Sequence, residues 1–151
     1  HTKKKISWMK DPRIMPIVLP KNGQVFGIDE LFGNNTLGPD NNFADNGFAA
    51  LAKYDTSGPN GKRDGYITED DSIYKKLRLW YDRNLDGVTD RGELFSLTRA
   101  GVTIIDLSYD PRFKARDSHG NMIQYKSVVK LKSGQLKPVF DIWFAVNELI
   151  Q

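Results

Sequence analysis

The chain has 151 residues, of which 39% are hydrophobic and 11% aromatic, and its formal net charge at pH 7 is +3. This size and composition are typical of one folded domain with a hydrophobic core, and they argue against a disordered chain. The chain has no cysteine, which excludes disulfides and thiolate zinc sites, and no apolar run reaches the ~18 residues that span a membrane.

Charge is distributed unevenly along the chain. Basic residues are concentrated toward the two ends, and acidic residues are concentrated between Asp64 and Glu93. No recognisable nucleic-acid motif accompanies the basic ends, so we expect ordinary solvated faces and no nucleic-acid partner.

The N-terminal third favours extended and irregular structure. Prolines before, within and after the apolar stretch 14–19 predict an edge strand or an extended segment there. Residues 29–33 predict one helical turn closed by a glycine, and residues 34–46 have the composition of a loop. The apolar spacing of residues 48–54 then predicts a short amphipathic helix, which leads directly into Asp55.

Asp55 begins a predicted calcium loop that carries five extra residues between its first and fifth positions. We assign position 1 to Asp55, because the register without the insertion would put Lys62 at a ligand position and an ammonium group has no lone pair. Asp71 closes the loop with a side chain shorter than glutamate, which predicts weaker binding. The candidate ligands are Asp55, Ser57 (with Asn60 as a further oxygen donor), Asp64, the carbonyl of Tyr66, and Asp71.

A second stretch, from Asp82 to Glu93, matches the twelve-residue calcium loop of the EF-hand at every fixed position. Ca²⁺ takes six to eight oxygen ligands, so alternate side chains must turn inward while a glycine at position 6, here Gly87, makes the bend. We expect one Ca²⁺ here, whereas occupancy of the interrupted loop stays open. The predicted ligands are Asp82, Asn84, Asp86, the carbonyl of Val88, Asp90 and Glu93.

Between the two loops, the apolar spacing of residues 72–81 predicts one amphipathic helix, which both loops would share. A short helix is predicted after Glu93, with Gly101 as its cap. Strand patterns follow, with a break at the Asp110–Pro111 dipeptide; they cover residues 102–109, 113–116, 122–132 and 136–144.

The predicted fold class is therefore α+β: short helices around two EF-hand-type calcium loops that share one helix, plus a C-terminal antiparallel β-sheet. We expect residues 1–151 to form a single domain, with an EF-hand-like helical part at 14–100 and an antiparallel β part at 102–146. We also expect the chain to be a piece of a longer protein.

Five stretches carry a resemblance to a known group: Glu30–Thr36, Asn46–Ala52, Lys76–Trp80, the loop 82–93 and Glu93–Leu97. With them the chain resembles the EF-hand-containing segments of large bacterial secreted and surface proteins. Among these is the calcium-dependent self-processing module of RTX-type iron-regulated toxins. The resemblance implies a secreted or surface location and, as the leading function, a calcium-binding module whose ion stabilises the fold.

Two other functions stay open. The resemblance suggests calcium-triggered cleavage of an Asp-Pro bond, and the chain contains Asp11–Pro12 and Asp110–Pro111. The C-terminal sheet could instead serve adhesion or partner binding, although no residue identifies a protein partner. Nucleophile-elbow, zinc-helix and phosphate-loop sequences are missing, so we expect the chain not to be an enzyme.

Overall fold

Antiparallel β-sheet makes up most of the regular structure in a computed structural model, which describes residues 5–6, 8–11, 13–34 and 36–147. A five-stranded and a three-stranded sheet form the body of the fold, and a two-stranded ribbon joins the first described strand to the last. The strands are β1 (Lys5–Ile6), β2 (Ile17–Val18), β3 (Tyr66–Ile67), β4 (Arg78–Trp80), β5 (Leu94–Ser96), β6 (Val102–Asp106), β7 (Asp110–Arg116), β8 (Met122–Leu131), β9 (Leu136–Trp143) and β10 (Val146–Asn147). The helical elements are α1 (Gly47–Ala52), α2 (Leu97–Ala100) and 3₁₀ turns at Ile28–Glu30, Pro59–Gly61 and Ser72–Lys75.

The longest strand, β8, is the centre of the five-stranded sheet. β6 and β7 pair with successive parts of one edge of β8, and β9 pairs along its other edge. β3 extends the sheet by pairing with β6. The register of β8 shifts between Gln124 and Lys126, where Tyr125 has a φ of 56°, so the strict alternation of side chains ends at this bulge.

The main hydrophobic core lies where α1, α2, the 3₁₀ turn at Ser72–Lys75 and the five-stranded sheet meet. Leu77 and Leu97 are both completely buried there, and the Tyr74 hydroxyl donates to the Val102 carbonyl at 2.6 Å. Burying the polar end of Tyr74 with a partner avoids the penalty of an unsatisfied hydroxyl. The buried members are Leu51, Ile67, Ile73, Tyr74, Leu77, Leu97, Val102, Ile105 and Leu107.

The α+β prediction is wrong, because most of the regular structure in the described chain is β and its α-helices are only six and four residues long. The predicted shared helix over 72–81 does not form. Its first half is the 3₁₀ turn at Ser72–Lys75, and its second half is β4. The two candidate loops are therefore joined by a turn and a strand.

The apolar residues of 72–81 are buried by a turn and a strand instead of a helix. β4 is the middle strand of the three-stranded sheet, where Leu79 pairs with Ile17 of β2 and with Phe95 of β5. Trp80 is 1% exposed and packs with Val18 and Val25 in a second small core. Tertiary pairing on both edges of β4 thus outweighs a helical periodicity that is only a weak local preference.

The helix predicted after Glu93 is also mostly replaced by a strand. Residues Leu94–Ser96 form β5, and the helix begins only at Leu97, where the Ser96 hydroxyl accepts a hydrogen bond from Arg99 N–H at 3.1 Å. A serine at this position satisfies one of the free N–H groups of the first helical turn. Gly101 ends α2 in the left-handed region.

Asp141 of β9 ties the five-stranded sheet to α1. Its Oδ2 accepts hydrogen bonds from Gly47 N–H at 2.8 Å and from Trp143 Nε1 at 2.9 Å. Burial raises the pKa of Asp141 above the ordinary value for aspartate, although both hydrogen bonds act in the opposite direction. The native state therefore holds this proton more tightly than the unfolded state does, and stability falls as pH rises through the folded-state pKa.

The substitution Asp141→Asn is expected to remove this contribution while keeping one side-chain oxygen as an acceptor. In urea unfolding between about pH 4 and 7, the unmodified chain should lose more stability with rising pH than the variant does. Asp110→Asn is the control: Arg112 lowers the pKa of Asp110, so the contribution of Asp110 is lost only below about pH 4, and between about pH 4 and 7 this variant should run parallel to the unmodified chain. Parallel pH profiles for Asp141→Asn and the unmodified chain would contradict the assignment.

Candidate metal-binding loops

The loop 82–93 joins β4 to β5, and its first carboxylate is buried at its base. Asp82 is 2% exposed. Its Oδ1 accepts from Asp86 N–H at 3.3 Å, and its Oδ2 accepts from Gly87 N–H at 2.9 Å. Gly87 has a φ of 70°, which lets the chain turn back toward Asp82. The side chain at position 1 therefore holds the backbone of positions 5 and 6.

Glu93 performs the same task at the other end of the loop. It is 3% exposed; its Oε1 accepts from Arg83 N–H at 3.2 Å and its Oε2 accepts from Asp90 N–H at 3.0 Å. The side chain at position 12 thus holds the backbone of positions 2 and 9. Together the two end carboxylates fold the loop into a closed turn.

The remaining predicted side-chain ligands meet on the exposed side of the loop. The Asn84 amide nitrogen donates to Asp86 Oδ2 and to Asp90 Oδ2, both at 3.1 Å. Asp86 Oδ1 also accepts from Val88 N–H at 2.9 Å. The structure therefore brings positions 3, 5 and 9 into direct contact, with the amide between two carboxylates.

Two tryptophans contact the buried ends of this loop. Trp8 Nε1 donates to Asp82 Oδ2 at 2.7 Å, and Trp80 Nε1 donates to Glu93 Oε2 at 3.3 Å. The two indole rings pack against each other, with centroids 5.0 Å apart. Sequence reasoning missed both roles: Trp80 precedes the loop by two residues and could have been noticed, whereas Trp8 lies 74 residues from Asp82 and no local signal marks it.

The interrupted loop 55–71 repeats this hydrogen-bond pattern. Asp55 is 2% exposed; its Oδ1 accepts from Asp64 N–H at 3.2 Å and its Oδ2 from Gly65 N–H at 2.7 Å. Tyr66 N–H donates to Asp64 Oδ1 at 2.9 Å, as Val88 N–H does to Asp86. The register chosen from the sequence, with the first and fifth positions nine residues apart, is the one whose residues meet.

Asp71 closes the interrupted loop as Glu93 closes the other. It is 1% exposed; its Oδ1 accepts from Thr56 N–H at 2.9 Å and Ser57 N–H at 3.0 Å, and its Oδ2 accepts from Thr68 N–H at 2.9 Å. Three backbone donors therefore converge on one carboxylate. This arrangement binds both ends of the loop to a single side chain.

The insertion in the interrupted loop contains the 3₁₀ turn at Pro59–Gly61, in which Asn60 has a φ of 60°. Ser57 Oγ reaches back to Asp64 Oδ2 at 3.2 Å. Burial raises the pKa of Asp55, and the nearby negative charge of Asp64 adds to this effect.

The donor chemistry of loop 82–93 fits a hard divalent cation. Its predicted ligands are carboxylate, amide and carbonyl oxygens, which Ca²⁺ prefers. Within the described residues, no three His, Asp or Glu side chains are close enough to hold a metal ion together. For an ion to contact all six predicted oxygens, the Asn84 amide would have to turn its oxygen toward the ion. The Asp86 and Asp90 carboxylates, which now accept hydrogen bonds from the Asn84 nitrogen, would then move as well.

Both Asp-Pro dipeptides are followed by an arginine that binds the aspartate. Asp11 accepts from the Arg13 guanidinium at 2.9 Å and 3.0 Å, and Asp110 accepts from Arg112 Nε at 3.1 Å. These pairs lower the pKa of both carboxyls. The predicted strand break lies at residues 107–109 and not at Asp110–Pro111, since β6 ends at Asp106 and β7 begins at Asp110; Pro12 lies outside the described residues. Cleavage at either bond stays a prediction.

Comparison with known proteins places this chain in a family. Residues 1–145 match the model of the SPM domain. The chain is also 34% identical over 128 residues to the iron-regulated protein FrpA of Neisseria meningitidis serogroup C, which covers 85% of this chain but only 11% of that protein. No helix in the described part of the chain has the length and hydrophobicity needed to cross a membrane. The chain belongs to the SPM domain family.

Proposed function

We propose that this chain is a calcium-binding module of a bacterial secreted or surface protein, and that Ca²⁺ bound in loop 82–93 stabilises its fold. The observation that carries the proposal is the arrangement of Asp82 and Glu93, two buried carboxylates that hold opposite ends of a loop rich in oxygen donors. The similarity to part of FrpA supports the bacterial origin and motivates the proposed location.

Each predicted ligand has a distinct task in this proposal. Asp82 and Glu93 supply charge from the base of the loop, while Asn84, Asp86 and Asp90 approach from its exposed side. Val88 contributes its backbone carbonyl. The bound ion supplies positive charge at the point where these oxygens meet, and the residues of the chain keep them oriented.

The stabilisation follows from electrostatics and mass action. Without an ion, several carboxylates crowded into one short loop repel each other and favour the unfolded chain. An ion that binds only the folded form adds RT ln(1 + [Ca²⁺]/Kd) to stability. With a Kd of roughly 10⁻⁴ M and millimolar calcium, as in extracellular modules, the gain is about 1.4 kcal/mol.

Calcium is therefore expected to raise the melting temperature of the chain by about 3–6 °C relative to EDTA, since 1 kcal/mol corresponds to about 2–4 °C in a domain of this size. Thermal unfolding followed by circular dichroism gives this shift. Mg²⁺ at the same concentration is the control and should stabilise less, because it requires a smaller octahedral site. Identical melting curves in calcium and in EDTA would overturn the proposal.

We propose the interrupted loop 55–71 as a second, weaker calcium site. Its end carboxylates, Asp55 and Asp71, are buried and oriented like those of the first loop. Asp71 is shorter than glutamate and already accepts three backbone hydrogen bonds, which leaves less of it for an ion. Calorimetric titration should therefore resolve a tighter and a weaker event; a single event would limit binding to loop 82–93.

A further inference from the structure

Trp8 connects the calcium loop to the two ends of the described chain. Its indole N–H donates to Asp82 Oδ2 at 2.7 Å. Its ring packs close to Gly87, where an added Cβ would lie 3.7 Å from the Trp8 Cγ atom. The ring also stacks on Phe144, with centroids 5.3 Å apart. Phe144 lies between β9 and β10, and β10 pairs with β1, the strand that precedes Trp8.

Each of the two tryptophans donates a hydrogen bond to one of the two end carboxylates of loop 82–93. Trp8 holds the carboxylate at position 1, Trp80 holds the carboxylate at position 12, and the rings are in contact. A ligand whose second oxygen is fixed by a hydrogen-bond donor is oriented before the metal arrives. Asp82 Oδ2 is fixed in this way by Trp8 and Gly87, while Oδ1 has a single, longer hydrogen bond.

We propose that Trp8 is a positioning residue for Ca²⁺. It orients Asp82, and it couples ion binding to the packing of the segment around residue 8 against Trp80 and Phe144. This inference rests on the proposed calcium function of loop 82–93. Coupling is reciprocal, so an ion that strengthens the Asp82–Trp8 contact also holds this segment in place, and loss of the contact weakens ion binding.

A purely structural role for Trp8 makes a different prediction. If only its packing mattered, phenylalanine would serve as well, because it can still contact Trp80 and Phe144. Phenylalanine lacks the indole N–H, so Trp8→Phe separates packing from the hydrogen bond to Asp82. Trp143→Phe is the matched control, since it removes an indole N–H from Asp141, a carboxylate outside both loops.

The test measures calcium affinity by calorimetry in the unmodified chain, Trp8→Phe and Trp143→Phe. Loss of a hydrogen bond to a metal ligand typically weakens metal binding by 10–100-fold, so Trp8→Phe should weaken it by at least about 10-fold. Trp143→Phe should bind within about twofold of the unmodified chain, because its hydrogen bond lies outside the ligand set. Equal affinities for Trp8→Phe and the unmodified chain would overturn the positioning role and leave the calcium function intact. Absence of binding in the unmodified chain would overturn both.

A fluorescence measurement keeps the test decisive if Trp8→Phe does not fold. In Trp143→Phe the remaining tryptophans are Trp8, which is half-buried, and Trp80, which is 1% exposed, so acrylamide quenches mainly Trp8. Calcium should reduce this quenching as the segment is held against the loop. Magnesium is the control and should reduce it less. Quenching that does not change across a calcium titration, while calorimetry detects binding, would overturn the coupling.

Discussion

Replacing Glu93 with glutamine is expected to weaken calcium binding to loop 82–93 by at least about 100-fold. Loss of a contact that only supports a ligand weakens metal binding by about 10–100-fold, and Glu93 is itself a proposed ligand. The substitution removes one negative charge and one of the two oxygens that could close on the ion. Oε1 accepts a hydrogen bond from Arg83 N–H and Oε2 accepts one from Asp90 N–H, so the NH₂ of a glutamine would face one of these two donors. Calorimetric titration measures the change.

Glu69→Gln is the matched control for this experiment, since Glu69 is exposed and is not a proposed ligand of either loop. It makes the same chemical change and should leave calcium affinity unaltered. Circular dichroism in EDTA shows whether Glu93→Gln still folds without the ion. If Glu93→Gln bound calcium as tightly as Glu69→Gln, loop 82–93 would not be the calcium site.

Replacing Asp71 with asparagine is expected to lower the free energy of unfolding by about 2–3 kcal/mol, even in EDTA. The Asp71 carboxylate is 1% exposed and accepts hydrogen bonds from three backbone N–H groups of the interrupted loop. An asparagine places its NH₂ against at least one of these donors, and an unpaired buried donor is destabilising by about 1–3 kcal/mol. The expected loss does not require that the loop bind an ion.

Asp70→Asn provides the comparison, because Asp70 is the adjacent residue and is exposed. Urea unfolding of both variants in EDTA isolates the hydrogen-bond contribution from any effect of calcium. A loss of stability that is equal in the two variants would mean that Asp71 does not hold the interrupted loop together. A loss seen only in calcium would assign Asp71 an ion-binding role alone.

The residues of both candidate loops could be predicted because each loop is a local feature. All proposed ligands of loop 82–93 lie within twelve residues, so their spacing alone predicts which side chains turn inward. For the interrupted loop, the unsuitable chemistry of Lys62 led to Asp55 as the first position. In the structure Asp64 N–H donates to Asp55, and the N–H groups of the two residues after Asp55 donate to Asp71.

The fold class could not be predicted, because pairing between distant residues decides it. The apolar spacing from Ile73 to Trp80 fits a helix as well as it fits a turn and a strand. The pairing of β2 and β5 with the two edges of β4 decides for the strand. The contacts of Trp8 with Asp82 and of Gly47 with Asp141 span 74 and 94 residues. Local periodicity carries no information about such contacts, and they determine how the loops are supported.

The pairing of β1 with β10 determines how the module would respond to mechanical tension. Lys5 lies opposite Asn147 and Ile6 opposite Val146, so a pull on these two strands acts across the ribbon and separates one pair after another. The force would next act on the stacked rings of Trp8 and Phe144, and then on the hydrogen bond between Trp8 and Asp82. Stretching a longer protein that contained this module would thus open it from its ends inward, and an ion held by loop 82–93 in the proposed way would be released only after the aromatic contacts had broken.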